Sequence, residues 1–378
     1  MKRQNLPLLC ALFLLRALSV WADTERNLYT VSAADYEASA AVPALRTELE
    51  NRFNIFNRLF RFDTQRLSAP LNVKVYGGKE AYDSYILERL GETKAGAVYF
   101  HYNQPERREL VIHHGATGNA SMLAHQAFVQ YLRAFIANPP SWLLEGFAVY
   151  FSSLRDNEEN LLWLESVKNL GEKRPAPEAV FLADITDAQI DREEFQITSW
   201  ALVSFLLNSG RDYYRILTDS LMLLSPDASA AENSLPLEKR FVLWNDIETL
   251  DRDFRSYLDS RKTYRELIEE GRKAYSQGDY MNAELSFLLA MDQRPSEFAP
   301  YYYLGLLYYE GKDYAEAEKY YLASLERGAA EALINYARGI NAAAAGRPQE
   351  ARELLQKAAA RDQRYRARVE ELLKKIGQ

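Results

Sequence analysis

The 378-residue chain has one cysteine, Cys10. A single thiol allows no internal disulfide and no thiolate cluster for a metal, so stability has to come from an apolar core. Histidine is nearly as scarce, with four: His101, His113, His114 and His125. After residue 22 no run is long and apolar enough to cross a bilayer. Positive charge is short too. The formal net charge is −7, and residues 1–22 hold Lys2, Arg3 and Arg16 with no acid; removing that +3 leaves −10 for the remainder. Such a balance speaks against nucleic acid or an anionic membrane surface as the main partner.

What is present is an ordinary globular composition, 48% hydrophobic and 26% charged, long enough for two or three domains. Residues 1–22, MKRQNLPLLCALFLLRALSVWA, combine a basic start, an apolar run and the small-x-small end Val20-Trp21-Ala22. This predicts a secretory signal peptide cleaved before Asp23, a mature chain without cysteine, and a periplasmic or cell-envelope location. Beyond it, Asn27 to Ser32 reads as a strand and Ala33 to Phe60 as an amphipathic helix with Leu45, Leu49, Phe53, Phe56 and Leu59 on one face. Strands are expected at 71–76, 97–102 and 109–113, with a helix at 80–90. Residues 155–195 are mixed and acidic, with a loop at 172–177. Helices follow at 196–208 and 211–224. A Ser-, Ala-, Pro- and Asn-rich loop at 225–236 comes next, then a helix at 243–258.

The most informative stretch is Ser121 to Phe151, SMLAHQAFVQYLRAFIANPPSWLLEGFAVYF. Ala124, Phe128, Leu132 and Phe135 recur at helical spacing, with Asn119 or Ser121 as candidate cap. Asn138-Pro139-Pro140 ends this helix, because a residue before proline is pushed out of the α region. Ser141 is the candidate cap of a second helix, Trp142 to Phe151. Three polar residues interrupt these apolar helices: His125, Gln126 and Glu145. Each costs stability when buried unless it is paired.

HQAFVQYL followed by PPSWLLEGFAVYF resembles the active-site helix pair of gluzincin zinc metallopeptidases, specifically the peptidase-MA-like group. That resemblance implies H-E-x-x-H-Q, a Pro-rich turn, and W-L-x-E-G-x-A-x-Y-F. In the group two histidines one turn apart and the later glutamate bind zinc, and the glutamate after the first histidine activates water. Here His125 and Glu145 keep two ligand positions. Gln126 stands at the base position, where an amide cannot take a proton, and Val129 stands at the second histidine, with no donor atom. Gln130, Tyr131, Leu132, Trp142, Leu143, Gly146, Ala148, Tyr150 and Phe151 keep the frame. No catalytic residue and no zinc are therefore expected, and His125 is read as a core histidine hydrogen-bonded to Glu145. His113 and His114 precede the helix and read as a solvated turn before Gly115. In the group an edge strand pairs with substrate backbone, so this edge is a further place for a peptide.

From about Tyr264 a 34-residue period appears, the tetratricopeptide length. Gly271, Gly305 and Gly339 share one register; Ala283, Ala317 and Ala351 another; Phe287, Tyr321 and Leu355 a third; Ala290, Ser324 and Ala358 a fourth. Small residues there let paired helices cross closely, and the large one plugs between them. Residues 361–376 read as the polar capping helix that a solenoid needs. The expected fold is an α+β zincin-like (gluzincin) domain, residues 23–260, followed by an all-α tetratricopeptide-repeat solenoid, residues 263–378. The expected function is that of a non-catalytic pseudo-peptidase scaffold binding a protein or peptide. The alternative is a metal-dependent peptidase with an unusual ligand set. The first helix of each repeat would present the binding residues: Ile268, Arg272 and Tyr275, then Tyr302, Leu306 and Tyr309, then Tyr336 and Ile340. Tyrosine gives such a groove apolar area with a polar tip at low entropy cost. Because Arg272 stands almost alone, a mixed apolar peptide is expected rather than an acidic tail.

Overall fold

A computed structural model describes residues 27–115, 119–155, 158–159, 161–183, 191–244 and 246–376. The reading of 1–22 as a signal peptide, with Cys10, lies outside the described residues. The first part of the chain runs β1 (Tyr29–Ala33), α1 (Val42–Phe60), β2 (Leu71–Tyr76), α2 (Lys79–Leu90), β3 (Ala97–Phe100), β4 (Glu109–His113), α3 (Asn119–Phe135) and α4 (Ser141–Ser152). The strands form one four-stranded sheet in the order β1-β2-β4-β3. β1 and β4 flank β2 in parallel, while β3 joins β4 antiparallel and forms one edge.

α1 and α3 cover one face of the sheet. Leu45, Leu49, Phe53, Phe56 and Phe60 of α1 are buried. Phe56 meets the Phe128 ring at 5.3 Å, and Phe60 meets the Phe147 ring of α4 at 5.1 Å, both edge to face. Each fully buried aromatic of this kind contributes about 1.5–3 kcal/mol. Phe60, not Leu59, holds the last core position of α1. The helix also begins nine residues later than its pattern suggests. The Asp35 carboxylate accepts from the backbone N–H groups of Ala38, Gly77 and Gly78, which ties 34–41 into a turn beside β2, and Pro43 opens the helix.

α4 then packs on α7 (Arg192–Asn208), after two short helices, α5 (Leu164–Asn169) and α6 (Pro177–Leu182). α7 is buried almost continuously from Phe195 to Leu206. It approaches α4 at Gly146, where a Cβ would stand 2.5 Å from the Ser199 carbonyl oxygen. α8 (Arg211–Leu221), α9 (Ala230–Trp244) and α10 (Ile247–Ser260) complete this part. α9 corrects the expected loop: its composition reads as a turn, but Asn233 and Ser234 are buried and hydrogen-bonded. Asn233 holds Ser225 and the Asn138 carbonyl, and Pro236 is carried inside the helix.

From Tyr264 the helices pack in adjacent pairs: α11 (Tyr264–Ser276) with α12 (Tyr280–Gln293), α13 (Phe298–Glu310) with α14 (Tyr314–Glu326), and α15 (Glu331–Ala344) with α16 (Pro348–Arg361). α17 (Arg366–Ile376) closes on α16. A Cβ on Gly271 would lie 2.5 Å from the Phe287 ring, one on Gly305 2.5 Å from the Tyr321 ring, and one on Gly339 2.7 Å from Leu355. The repeated glycine is thus the crossing point of each pair, and the repeated large residue fills it. Among the described residues no helix is long and apolar enough to cross a membrane.

Candidate functional site

His125 and Gln126 sit on α3 and Glu145 on α4, joined by the Pro139-Pro140 corner. Pro140 occupies the cap position of α4, so Ser141 is its first residue rather than its cap. The Ser121 hydroxyl donates to the Ser152 carbonyl at 3.0 Å, stitching the start of α3 to the end of α4 instead of capping α3.

His125 Nε2 lies 3.9 Å from Glu145 Oε2, beyond hydrogen-bond reach. The expected His125–Glu145 hydrogen bond is therefore replaced: the Gln196 amide of α7 donates to Glu145 Oε2 at 2.8 Å. Burial leaves the His125 side chain 23% exposed and that of Glu145 14%. Desolvation pushes the His125 pKa below its ordinary value; Glu145 pulls it partly back, and Arg192 adds to the lowering.

Gln126 sets the state of the ring. Its Oε1 accepts from the Tyr99 backbone N–H at 3.1 Å, which turns its NH₂ toward His125 Nδ1 at 3.3 Å. An amide NH₂ only donates, so Nδ1 accepts and the neutral ring carries its proton on Nε2, the nitrogen facing Glu145. A metal ligand needs a lone pair at that point. Val129, one turn on, is half-buried and offers none. Among the described residues no three His, Cys, Asp or Glu side chains converge to hold a metal ion. The residues do not fit a zinc centre.

The Tyr99–Gln126 bond has a second effect. β3 is the sheet edge, and alternate residues of an antiparallel strand turn their backbone groups outward. Gln126 occupies the outward N–H of Tyr99, so this edge is already engaged by α3 at that point. The remaining histidines lie elsewhere. His113 is not in a solvated turn: it ends β4 and stacks on Tyr82 at 5.6 Å. His114 is exposed, its backbone N–H donating to the Tyr76 carbonyl at 2.9 Å. His101 lies beside Tyr99, whose hydroxyl is 3.3 Å from its Nδ1.

In the helix pairs, α11, α13 and α15 touch in succession and form one wall. Tyr275, Tyr302, Leu306, Tyr309, Tyr336, Ile268 and Ile340 are half-buried on it, and Arg272 is exposed. Tyr302 meets Tyr303 at 5.5 Å and Tyr321 at 6.2 Å, and the Tyr275 hydroxyl donates to Glu310 at 3.2 Å. Tyr365, which the repeat register passes over, packs on Tyr336 at 4.8 Å. A signal for it existed: α17 begins at Arg366, three 34-residue periods after Tyr264, so Tyr365 sits where a further repeat would open. Comparison with protein-family models, with curated proteins and with solved structures found no match.

Proposed function

We propose that this chain is an exported, non-catalytic relative of the gluzincin peptidases that serves as a scaffold in the cell envelope. Its three tetratricopeptide-like helix pairs would hold a protein or peptide partner. The observation that carries the reading is the donor set between α3 and α4. His125 turns a protonated nitrogen to Glu145, Glu145 takes its hydrogen bond from Gln196, and Val129 supplies no donor. Two potential ligands already committed to amides fall short of the three that open zinc sites use. The half-buried tyrosines of α11, α13 and α15 support the partner reading, since they combine apolar area with hydroxyl tips.

Metal analysis of the purified protein incubated with zinc tests the first half. No stoichiometric zinc and no chelator-sensitive peptide cleavage are expected, and the double change Gln126→Glu with Val129→His should introduce zinc binding. A full equivalent of zinc in the unaltered protein, with cleavage that a chelator stops, would establish the peptidase reading instead. For the second half, Tyr302→Ala with Tyr309→Ala is assayed by co-purification beside thermal melting. Lost binding at an unchanged melting temperature supports the groove, and unchanged binding refutes it.

A further inference from the structure

The sheet face opposite α1 and α3 carries a separate concavity. Along β2, Leu71, Val73 and Val75 are buried in the main core, while Asn72 and Lys74 alternate to the other side. The register sets Thr30 of β1 beside Asn72, and Glu109 of β4 on its other side. α2 covers only one end of this face, through Tyr76, Tyr82, Ile86, Phe100 and Val111. The uncovered end is an open cavity of about 400 Å³, walled by Arg89 near the end of α2, by residues 106–108 before β4 and by Glu109 at its start.

Its charge is out of keeping with the chain. Lys74, Arg89 and Arg107 line it against Glu106 and Glu109, in a protein of net charge −7; Arg108 borders it too, but its guanidinium is bonded to the Arg133 carbonyl of α3, and Arg89 is paired with Glu88 at 3.4 Å as well as with Glu109. Glu109 is already engaged: it accepts from the Tyr85 hydroxyl and lies 3.9 Å from Arg89. The other three cations have no carboxylate within salt-bridge distance among the described residues. Lys74 Nζ sits 4.1 Å from the centre of the Tyr85 ring. Arg107 lies 5.0 Å over Tyr102, and its guanidinium donates to the Gln104 side-chain oxygen at 3.5 Å. Arg108 donates to the carbonyls of Tyr102, at 2.7 Å, and Arg133, at 3.3 Å. These aromatic and carbonyl contacts orient the cationic groups without neutralising them.

Lys74 and Arg107, held in one concavity without a carboxylate partner among the described residues, repel each other, and a bound anion relieves that repulsion. A carboxylate offers these donors one negative charge and two acceptor oxygens. A phosphate monoester approaches two negative charges and offers three acceptor oxygens, suited to guanidinium forks, a lysine ammonium and the exposed Thr30 hydroxyl. We propose that this cavity binds the phosphate group of a phosphorylated ligand, either a soluble ester or a lipid headgroup.

The full chain is titrated with inorganic phosphate and with glycerol 3-phosphate, read by melting temperature. It is also mixed with vesicles of phosphatidic acid or of phosphatidylcholine, read by co-flotation. Saturable stabilisation by the soluble phosphates, weakened by salt, supports the site and a soluble source. Flotation with phosphatidic acid alone supports the site and a lipid source. In either case Lys74→Met with Arg107→Gln should weaken the response at least about tenfold, the scale on which charge-assisted bonds act. Thr30→Glu, at an exposed position, should do the same while the free protein melts no lower than the unaltered one, which keeps the test sound if the first variant folds poorly. The proposal is overturned if the unaltered protein responds to neither probe, or if the variants respond as it does.

Discussion

At Glu145 the partner is an amide from another helix, and this reverses which substitution matters. Gln196→Ala would leave a half-buried carboxylate without its 2.8 Å donor and should cost about 1–3 kcal/mol in urea unfolding. His125→Ala, which removes a group at 3.9 Å, should cost less. The two histidines beside this region also make stability depend on pH. Burial, with Arg133 and Arg108 nearby, pushes His101 down to about 4 from 6.5, and His125 is lowered in the same sense. Both are neutral in the fold, so as pH falls the unfolded chain takes up the protons first. The stability they contribute is whole above the unfolded value; the His101 share is lost between about 6.5 and about 4, and the His125 share falls in the same direction as pH drops below 6.5. Denaturant midpoints across that window should fall, and His101→Gln should flatten the decline while leaving the part due to His125.

Glycine at the helix crossings sets the tolerance of whole elements. Gly305→Ala forces a methyl into the Tyr321 ring and Gly146→Ala forces one into the Ser199 carbonyl. Each should lower stability by about 1–3 kcal/mol, the second more because backbone cannot rotate away; thermal melting of the two variants checks the order. The same glycines explain what could be read in advance. A spacing repeated in four registers exposed the helix pairs, and strict alternation in LNVKVY placed β2 at 71–76. The α3–α4 corner was legible from its two prolines. α9 was not, because Ser, Asn and Pro carry turn signals, and only the tertiary contacts of Asn233 override them. The partner of Glu145 was hidden for a related reason: Gln196 is 51 residues away and belongs to a helix whose apolar sequence advertises core and nothing else. The caps were misread for two reasons: the Ser121 hydroxyl donates to the Ser152 carbonyl instead, and Pro140 already fills the cap position ahead of Ser141.

Among the described residues of the whole molecule, the sheet-bearing part and the helix pairs meet through charge, their buried apolar clusters being separate. Glu165 receives Arg265 at 2.8 Å and Arg294 at 2.9 Å. Lys168 reaches Glu266 at 2.9 Å, beside the capping box that Thr263 and Glu266 form at the start of α11. Such half-exposed pairs are each worth about 0–1 kcal/mol, so they hold an orientation more than they hold the fold together. Glu165→Ala should leave each part's own stability nearly intact while separating their unfolding into two calorimetric transitions, most visibly at high salt.

The helix pairs contact mainly their neighbours in sequence, whereas α4 must wait for α7 to be covered. Local contacts form fast and distant ones slowly. During synthesis the sheet-bearing part emerges first, yet its apolar α4 stays unshielded until Gln196 and the rest of α7 have left the ribosome. The later-made repeats can close pair by pair as they appear. The part of the chain that is born first therefore cannot close as it emerges, and the interval before α7 arrives is when its apolar α4 most needs the shelter of a chaperone.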